Sequence, residues 1–279
     1  MKNLLISVAL LGAVAAANAN TIVNHSNKAS PATVFAQSYQ AAVAKQMPVD
    51  FFQAQNCEEA ESKYVKTPGA IMAFNADVNI AAKSKGLKCD VNPSVKPENL
   101  VYVGSSYFKI CKAKDQAIKL TDKRVTFGMA SVVLSKGIIN DYNSNGLNLI
   151  GVPYGGSKGV LAAVINKDIN YGFIGASIAQ PAIDAGQIVC ELSTDPRDAN
   201  FVGKTLKLKI TDFRLASMIY TSEKDPKKVE AMRKAAATDK EFVEFLNKNG
   251  ISAKTSNFTQ ADLDNFKKWV DFNYETYWK

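Results

Sequence analysis

Apolar residues along this chain switch repeatedly between a two-residue and a helical period, and the switches come in a regular order. TIVNH at 21–25 reads as a short strand. SPATVFAQSYQAAVAKQM at 30–47 then repeats Ala36, Tyr39, Ala42 and Val43 on one helical face, with Ser30 suited to cap it and Pro31 to its first position. VDFFQA (49–54) predicts a strand and CEEAESKYV a short helix. GAIMAFN (69–75) predicts another strand, and ADVNIAAKSKG (76–86) a helix closed by glycine. Strand, helix, strand, helix, strand, helix is the order of an α/β fold with a mainly parallel sheet.

NLVYVGSSYFKICKA (99–113) is one long extended run, able to carry the chain from one lobe to another. A second set of units follows. Val125 and Phe127 close a strand, and Gly128-Met129-Ala130-Ser131 is expected to open a helix. LNLIGVPYGG (147–156) is strand then loop, SKGVLAAVINKD (157–168) a helix, and INYGFIG (169–175) a strand. A loop and the short helix AIDAG come next, before the extended IVCELS (188–193). RLASMIYTS (214–222) reads as a strand. Helices are predicted from about Pro226 to Ala236, from about Asp239 to Asn247, and over the final FTQADLDNFKKWVDFNYETYWK. There Thr259 and Asp262 resemble a capping box, and Leu263, Phe266, Trp269, Val270 and Tyr274 share a face.

The first nineteen residues change the picture. Lys2, an apolar core too short to span a bilayer, and Ala17-Asn18-Ala19 make a secretory signal peptide, with cleavage expected after Ala19. The formal charge of +8 then becomes +7 through loss of Lys2. The lysines are spread, with KDPKK at 224–228 the densest group, so a nucleic-acid footprint is not expected. Export gives the four cysteines a meaning: two disulfides. Three pairings are possible. Cys57–Cys89 is favoured because each lies shortly after a strand–helix transition in the same half, which leaves Cys111–Cys190. No cysteine spacing matches a zinc site and there is a single histidine, so no metal and no cofactor are expected.

Candidate chemistry lies in loops that follow strands and precede helices. These are NHSNKASP (His25, Asn27, Lys28, Ser30), FNADV (Asn75), GSSY (Ser105, Ser106), FGMAS (Gly128, Met129, Ala130, Ser131), VPYGGSKG (Tyr154, Gly155, Gly156, Ser157) and IGASIAQP (Ala176, Ser177). In open α/β sheets such loops gather at the carboxyl ends of strands, where ligands bind, and helix amino ends there favour anions. GGSKG supplies neither the dinucleotide nor the phosphate-loop spacing, and no G-x-S-x-G occurs. Asp77, Asp90, Asp168 and Asp184 are scattered over different elements. A secreted α/β enzyme acting on a small polar or anionic substrate is the alternative reading; it needs a nucleophile–base pair that the sequence does not display.

LNLIGVPYGGSKGVLAAVINKDINYGFIGAS resembles the V-P-Y-K-G-G…L…L…G-Q-V-D signature of tripartite tricarboxylate transporter substrate-binding proteins. Val152, Pro153, Tyr154, Gly155 and Gly156 fall on its loop. FGMAS resembles the family's Y-G-S-A-G loop, AIDAGQIVCELS its A-G-K-hydrophobic-A stretch, and the run from Asp225 to Gly250 its late helix. The usual lysine is absent at Gly155, Asn166 to Asn170 replaces the glycine-rich hairpin, and NHSNKASPA replaces the first P-G-G-x-x-D loop. The resemblance implies a two-lobed type II periplasmic binding fold with lobe 1 at 20–112 and 200–279, lobe 2 at 113–199, and linkers near 108–116 and 190–203. The C-terminal helices are expected to return to lobe 1. The implied function is capture of a small solute, without bond-making, for a membrane transporter, by a monomer outside the cytoplasm. The divergent first loop leaves a carboxylate, a phosphonate and a polar uncharged solute all open.

Overall fold

The computed structural model describes residues 20–26, 31–129 and 132–279. The leader and the candidate residues Asn27, Lys28, Ser30, Ala130 and Ser131 lie outside the described residues. The first units are β1 (Asn20–Asn24), α1 (Pro31–Ala44), β2 (Val49–Gln53), α2 (Cys57–Lys66), β3 (Ile71–Asn75) and α3 (Ala76–Lys83). The long strand β4 (Leu100–Ala113) leads to β5 (Val125–Met129), α4 (Val132–Ser144), β6 (Leu149–Pro153), α5 (Ser157–Ile165), β7 (Tyr171–Gly175), α6 (Ala176–Asp184) and β8 (Ile188–Ser193). The chain returns through β9 (Arg214–Thr221), α7 (Pro226–Thr238), α8 (Lys240–Lys248), β10 (Ile251–Lys254) and α9 (Gln260–Tyr277).

One strand joins everything. In the first half the order is β2-β1-β3-β9-β4, with β10 also paired to β4; in the second it is β4-β7-β5-β6, with β8 also paired to β4. β1, β2 and β3 are mutually parallel, as are β5, β6 and β7, whereas β4 is antiparallel to β7, β8, β9 and β10. Asn75, ending β3, lies opposite Ser217, which lies opposite Gly104. Gly175, ending β7, lies opposite Phe108. The carboxyl ends of both parallel sets therefore point toward each other at Gly104–Phe108, a stretch of roughly 13 Å at the ordinary strand rise.

Each half buries both faces of its sheet. In the first, Met72, Phe74, Met218 and Tyr220 pack in one core with Tyr64, Ile80 and Phe266, and Ile22, Ile71, Tyr102 and Ile219 pack in another with Tyr39 and Phe242. In the second, Phe108, Phe127 and Phe173 pack with Ile138 and Tyr142, while Ile174 and Cys111 pack with Val160, Val164 and Ala179. Helix α9 spans the two. Leu263, Phe266 and Val270 belong to a first-half core, but Tyr277 and Trp278 pack against a second-half core, and Tyr277 Oη donates to Asp141 Oδ2 at 2.7 Å. Gly137 makes room, since a Cβ there would lie 2.7 Å from that of Tyr277.

Three local expectations are corrected. Gly128 and Met129 lie inside β5 instead of opening a helix, because their backbone pairs with Val152 and Pro153 of β6. Helix α6 starts at Ala176, directly after the strand, and runs through Pro181. Pro181 lies inside the helix, where it removes a backbone bond, and burial of Ala179 and Ala182 offsets that loss. β10 went unpredicted, as its ISAK is too short and too exposed for an alternation signal. Cysteine pairing is as favoured: Cys57–Cys89 ties the start of α2 to the 87–92 segment, and Cys111–Cys190 joins directly opposed residues of β4 and β8. Among the described residues no helix is long and apolar enough to cross a membrane.

Candidate functional site

Both halves have a topological switch point, β1/β3 in the first and β5/β7 in the second, and crevices at such points are where α/β sheets take ligands. The first is built from buried neutral polar groups. Asn24 Nδ2 donates to Thr33 Oγ1 at 2.8 Å and Gln53 Oε1 at 3.1 Å. The Ser26 carbonyl accepts from Gln53 Nε2 and Thr33 Oγ1. Ser217 Oγ donates to Asn75 Oδ1 at 2.7 Å, and Asn75 Nδ2 reaches Ser26 Oγ at 3.4 Å. Asn24, Ser26 and Asn75 are all buried. A hydrogen-bonded network of this kind fixes where the chain leaves β1 and β3.

His25 is part of that scaffold. Its side chain is 4% exposed, its ring packs on Phe74 with centroids 5.0 Å apart, and Nε2 accepts the Asn75 N–H at 2.9 Å. Nδ1 has no partner among the described residues, and the residue lines a narrow hollow of about 10 Å³ with Tyr64, Asn92 and Tyr220. Burial lowers its pKa from 6.5 to about 4, so the imidazole is neutral and its Nε2 lone pair holds Asn75 in place. The unfolded chain takes up this proton first. Stability is therefore lost as the pH falls from about 6.5 toward 4, by about 3 kcal/mol from this group. Urea midpoints at pH 7 and pH 4.5 are expected to fall further apart for the wild type than for His25→Gln. Equal pH dependence in the two proteins would refute this assignment.

The second switch point presents backbone. Tyr154 N–H donates to the Met129 carbonyl at 2.9 Å, and Ser157 Oγ accepts the Gly175 N–H at 3.2 Å, tying the loop after β6 to the end of β7. Ser157→Ala removes that acceptor and is expected to cost about 0.5–1.5 kcal/mol of stability, read by thermal melts; an unchanged melt would show the bond contributes nothing. Gly156 has φ 152° and ψ 167°, a region essentially reserved for glycine. Gly128 owes its identity to packing, since a Cβ would overlap Ile169 and crowd Val160 and Tyr154. Met129 is buried, while Tyr154, Ser157, Ala176 and Ser177 are half-buried and Gly155 is exposed.

Helix capping divides the elements by role. The helices α2, α7, α8 and α9 are capped by the side chains of Asn56, Asp225, Asp239 and Thr259. The helices α3, α5 and α6, which start at strand ends facing Gly104–Phe108, have no side-chain cap bond at Asn75, Gly156 or Gly175. Their first N–H groups are left for something else, and the helix dipole favours an anion. Ser105 and Ser106 lie half-buried in β4 at the crossing, paired with Ser252 and Ile251 of β10. Gly250, at φ 55°, sits where an added Cβ would lie 3.6 Å from Ala176 Cβ, so the two halves touch beside the start of α6.

The sequence reading missed Asn24, Ser26, Gln53 and Ser217. Asn24 and Gln53 end β1 and β2, and a polar residue at a strand end looks the same in sequence whether it is solvated or part of a buried network. It also missed Arg214, which starts β9 opposite Tyr107, stacks over Trp269 at 5.5 Å and has no ion pair among the described residues. Among the described residues no group of three or more His, Cys, Asp or Glu is placed to hold a metal ion. Polar donors with neutral acceptors equip this arrangement for holding a polar solute.

No protein-family model matches the sequence, and no curated protein matches it. Solved structures share its fold. The TctC solute binding protein from Polaromonas is 12% identical, with 92% of this chain and 96% of that one covered at a TM-score of 0.61. MatC from Rhodopseudomonas palustris, solved with bound malate, is 14% identical over 93% and 97% at 0.56. R. palustris Rpa4515, solved with adipate, is 12% identical over 92% and 95% at 0.61. The likeness runs over nearly the full length, and it gives this chain the fold of periplasmic solute-binding proteins, as the family resemblance implied.

Proposed function

We propose that this chain is an extracytoplasmic solute-binding protein that captures a small organic anion between its two halves for delivery to a membrane transporter. The observation that carries the reading is the set of three helix amino ends without side-chain caps at strand ends directed at Gly104–Phe108. An anion arriving there replaces the missing caps, and burial is tolerated because each charge finds donors. The shared fold with malate- and adipate-bound proteins supports a carboxylate. The even disulfide count supports a location outside the cytoplasm.

The two halves act as lobes in this reading, divided near Tyr107/Phe108 and Phe213/Arg214 instead of at 112 and 200, because Phe108, Cys111, Val202, Leu208 and Phe213 pack in the second-half cores. The hinge is the stretch where β4 exchanges partners, between Tyr107 and Phe108, together with the return past Thr194. There Phe108 N donates to Thr194 Oγ1, which in turn donates to the Phe213 carbonyl at 2.6 Å. The ligand set comprises Asn75, Ser105, Ser106, Tyr154 to Ser157, Ala176 and Ser177, with the segment after His25. Solute closes the halves through its differential affinity for the closed state. Native mass spectrometry of the purified protein, followed by calorimetric titration with malate and adipate and scattering with and without solute, tests this. Saturable binding with compaction is expected. Failure to bind any small carboxylate would overturn the anion assignment, and binding without compaction would overturn lobe closure.

A further inference from the structure

A second hollow, of about 210 Å³, lies between α3, α9 and the 90–93 segment. Asn79 of α3 lines it and is fully buried, yet neither its Oδ1 nor its Nδ2 has a partner among the described residues. Buried carboxamides are nearly always paired, so an orphan on both edges calls for an occupant that supplies an acceptor and a donor side by side. The walls beside it are apolar: Phe74, Val91, Pro93 and Val270. The charges at this hollow largely cancel among themselves. Lys83 Nζ is bridged to Asp90 and Asp271, at 2.8 Å each, which leaves Lys267 without an ion pair among the described residues.

We propose that this hollow is a second small-molecule site, separate from the solute cleft, that takes a compact neutral amide of the lactam, primary carboxamide or urea type. A carboxylate would satisfy Asn79 Nδ2 but set an acceptor against Oδ1. An ammonium would satisfy Oδ1 and leave Nδ2 unpaired. A planar amide meets both edges at once and lays its apolar body on the Phe74 and Val270 walls. The site stands independently of the solute reading, because Asn79 lies a turn along α3 from the helix start that faces the crossing.

The test uses the full folded protein, isotopically labelled, titrated with 2-pyrrolidinone and followed through the Asn79 side-chain NH₂ resonances. Saturable shifts are expected at millimolar probe. Cyclopentanone, which accepts but cannot donate, is expected to bind about tenfold more weakly, and Asn79→Leu to weaken pyrrolidinone by about as much. Asn79→Asp, of the same shape with no donor, is expected to weaken both probes while keeping the preference for pyrrolidinone, whose N–H still meets an acceptor. Thermal melts establish that both variants are folded, and calorimetry with malate and adipate on them reads the cleft separately. Absence of a saturable shift would mean that water alone fills the hollow, and undiminished binding in Asn79→Leu would put the probe elsewhere; either result overturns the proposal.

Discussion

Replacing Cys111 and Cys190 together by alanine is expected to lower global stability by about 4 kcal/mol, and the Cys57 and Cys89 pair by somewhat less. The difference follows from the loops closed: the two cysteines of the first pair are 79 residues apart, those of the second 32. Cross-linking removes unfolded-state entropy that grows with the logarithm of loop length, so the longer loop gives the larger effect and the ratio is modest. Position sharpens the expectation. Cys111 is fully buried on β4, where the chain enters the second half, and Cys190 lies opposite it on β8, where the chain prepares to leave. That bond holds the ends of the whole second half together. The Cys57–Cys89 bond pins α2 to the segment that walls the hollow behind His25. Urea unfolding of both double-alanine variants reads the difference. A smaller effect for the Cys111–Cys190 variant than for the other would show that native packing, and not loop closure, dominates.

Much of the fold was legible because the two hydrophobic periods are clean wherever an element is buried. β4 is the clearest case: a long extended run announces a strand shared by two halves, and Ser105 and Ser106 lie just before it changes partners. The local failures have physical causes. Gly128 reads as a loop residue, but here a glycine inside β5 gives Ile169 and Val160 room to approach. The helix expected only at AIDAG begins at Ala176, because burial of Ala179 and Ala182 carries it through Pro181. β10 exists because β4 offers a free edge next to Gly104–Ser106, a partner that the short sequence cannot reveal. The site was legible as loops and not as side chains. His25 looked like a ligand-facing donor, whereas its burial against Phe74 and its bond from Asn75 make it a support. Asn24 and Gln53, which hold the first loop, were hidden because a polar residue at a strand end has no local signature distinguishing a solvated end from a buried network.

Gly156→Asp is expected to weaken solute binding by roughly 100-fold, corresponding to about 3 kcal/mol, while the protein stays folded. Three effects meet at this position. The backbone has φ 152°, so any side chain brings strain of about 1–3 kcal/mol, and alanine alone will register it. Opposing this, the residue is the N-cap of α5 and makes no side-chain cap bond; an aspartate there supplies one, worth about 0.5–2 kcal/mol. The two nearly cancel in stability. They add in binding, because the new carboxylate occupies the N–H groups meant for the solute and repels its charge. The series Gly156→Ala, Gly156→Asn and Gly156→Asp separates the contributions: strain alone, strain with a neutral cap, and strain with a charged cap. Calorimetry with the solute identified by native mass spectrometry, paired with melts of the same preparations, decides the matter. Affinity should fall steeply from asparagine to aspartate, with similar melts. Equal affinity for the wild type and a folded Gly156→Asp protein would remove the start of α5 from the binding site, and with it the strongest link between this chain's open helix ends and an anionic solute.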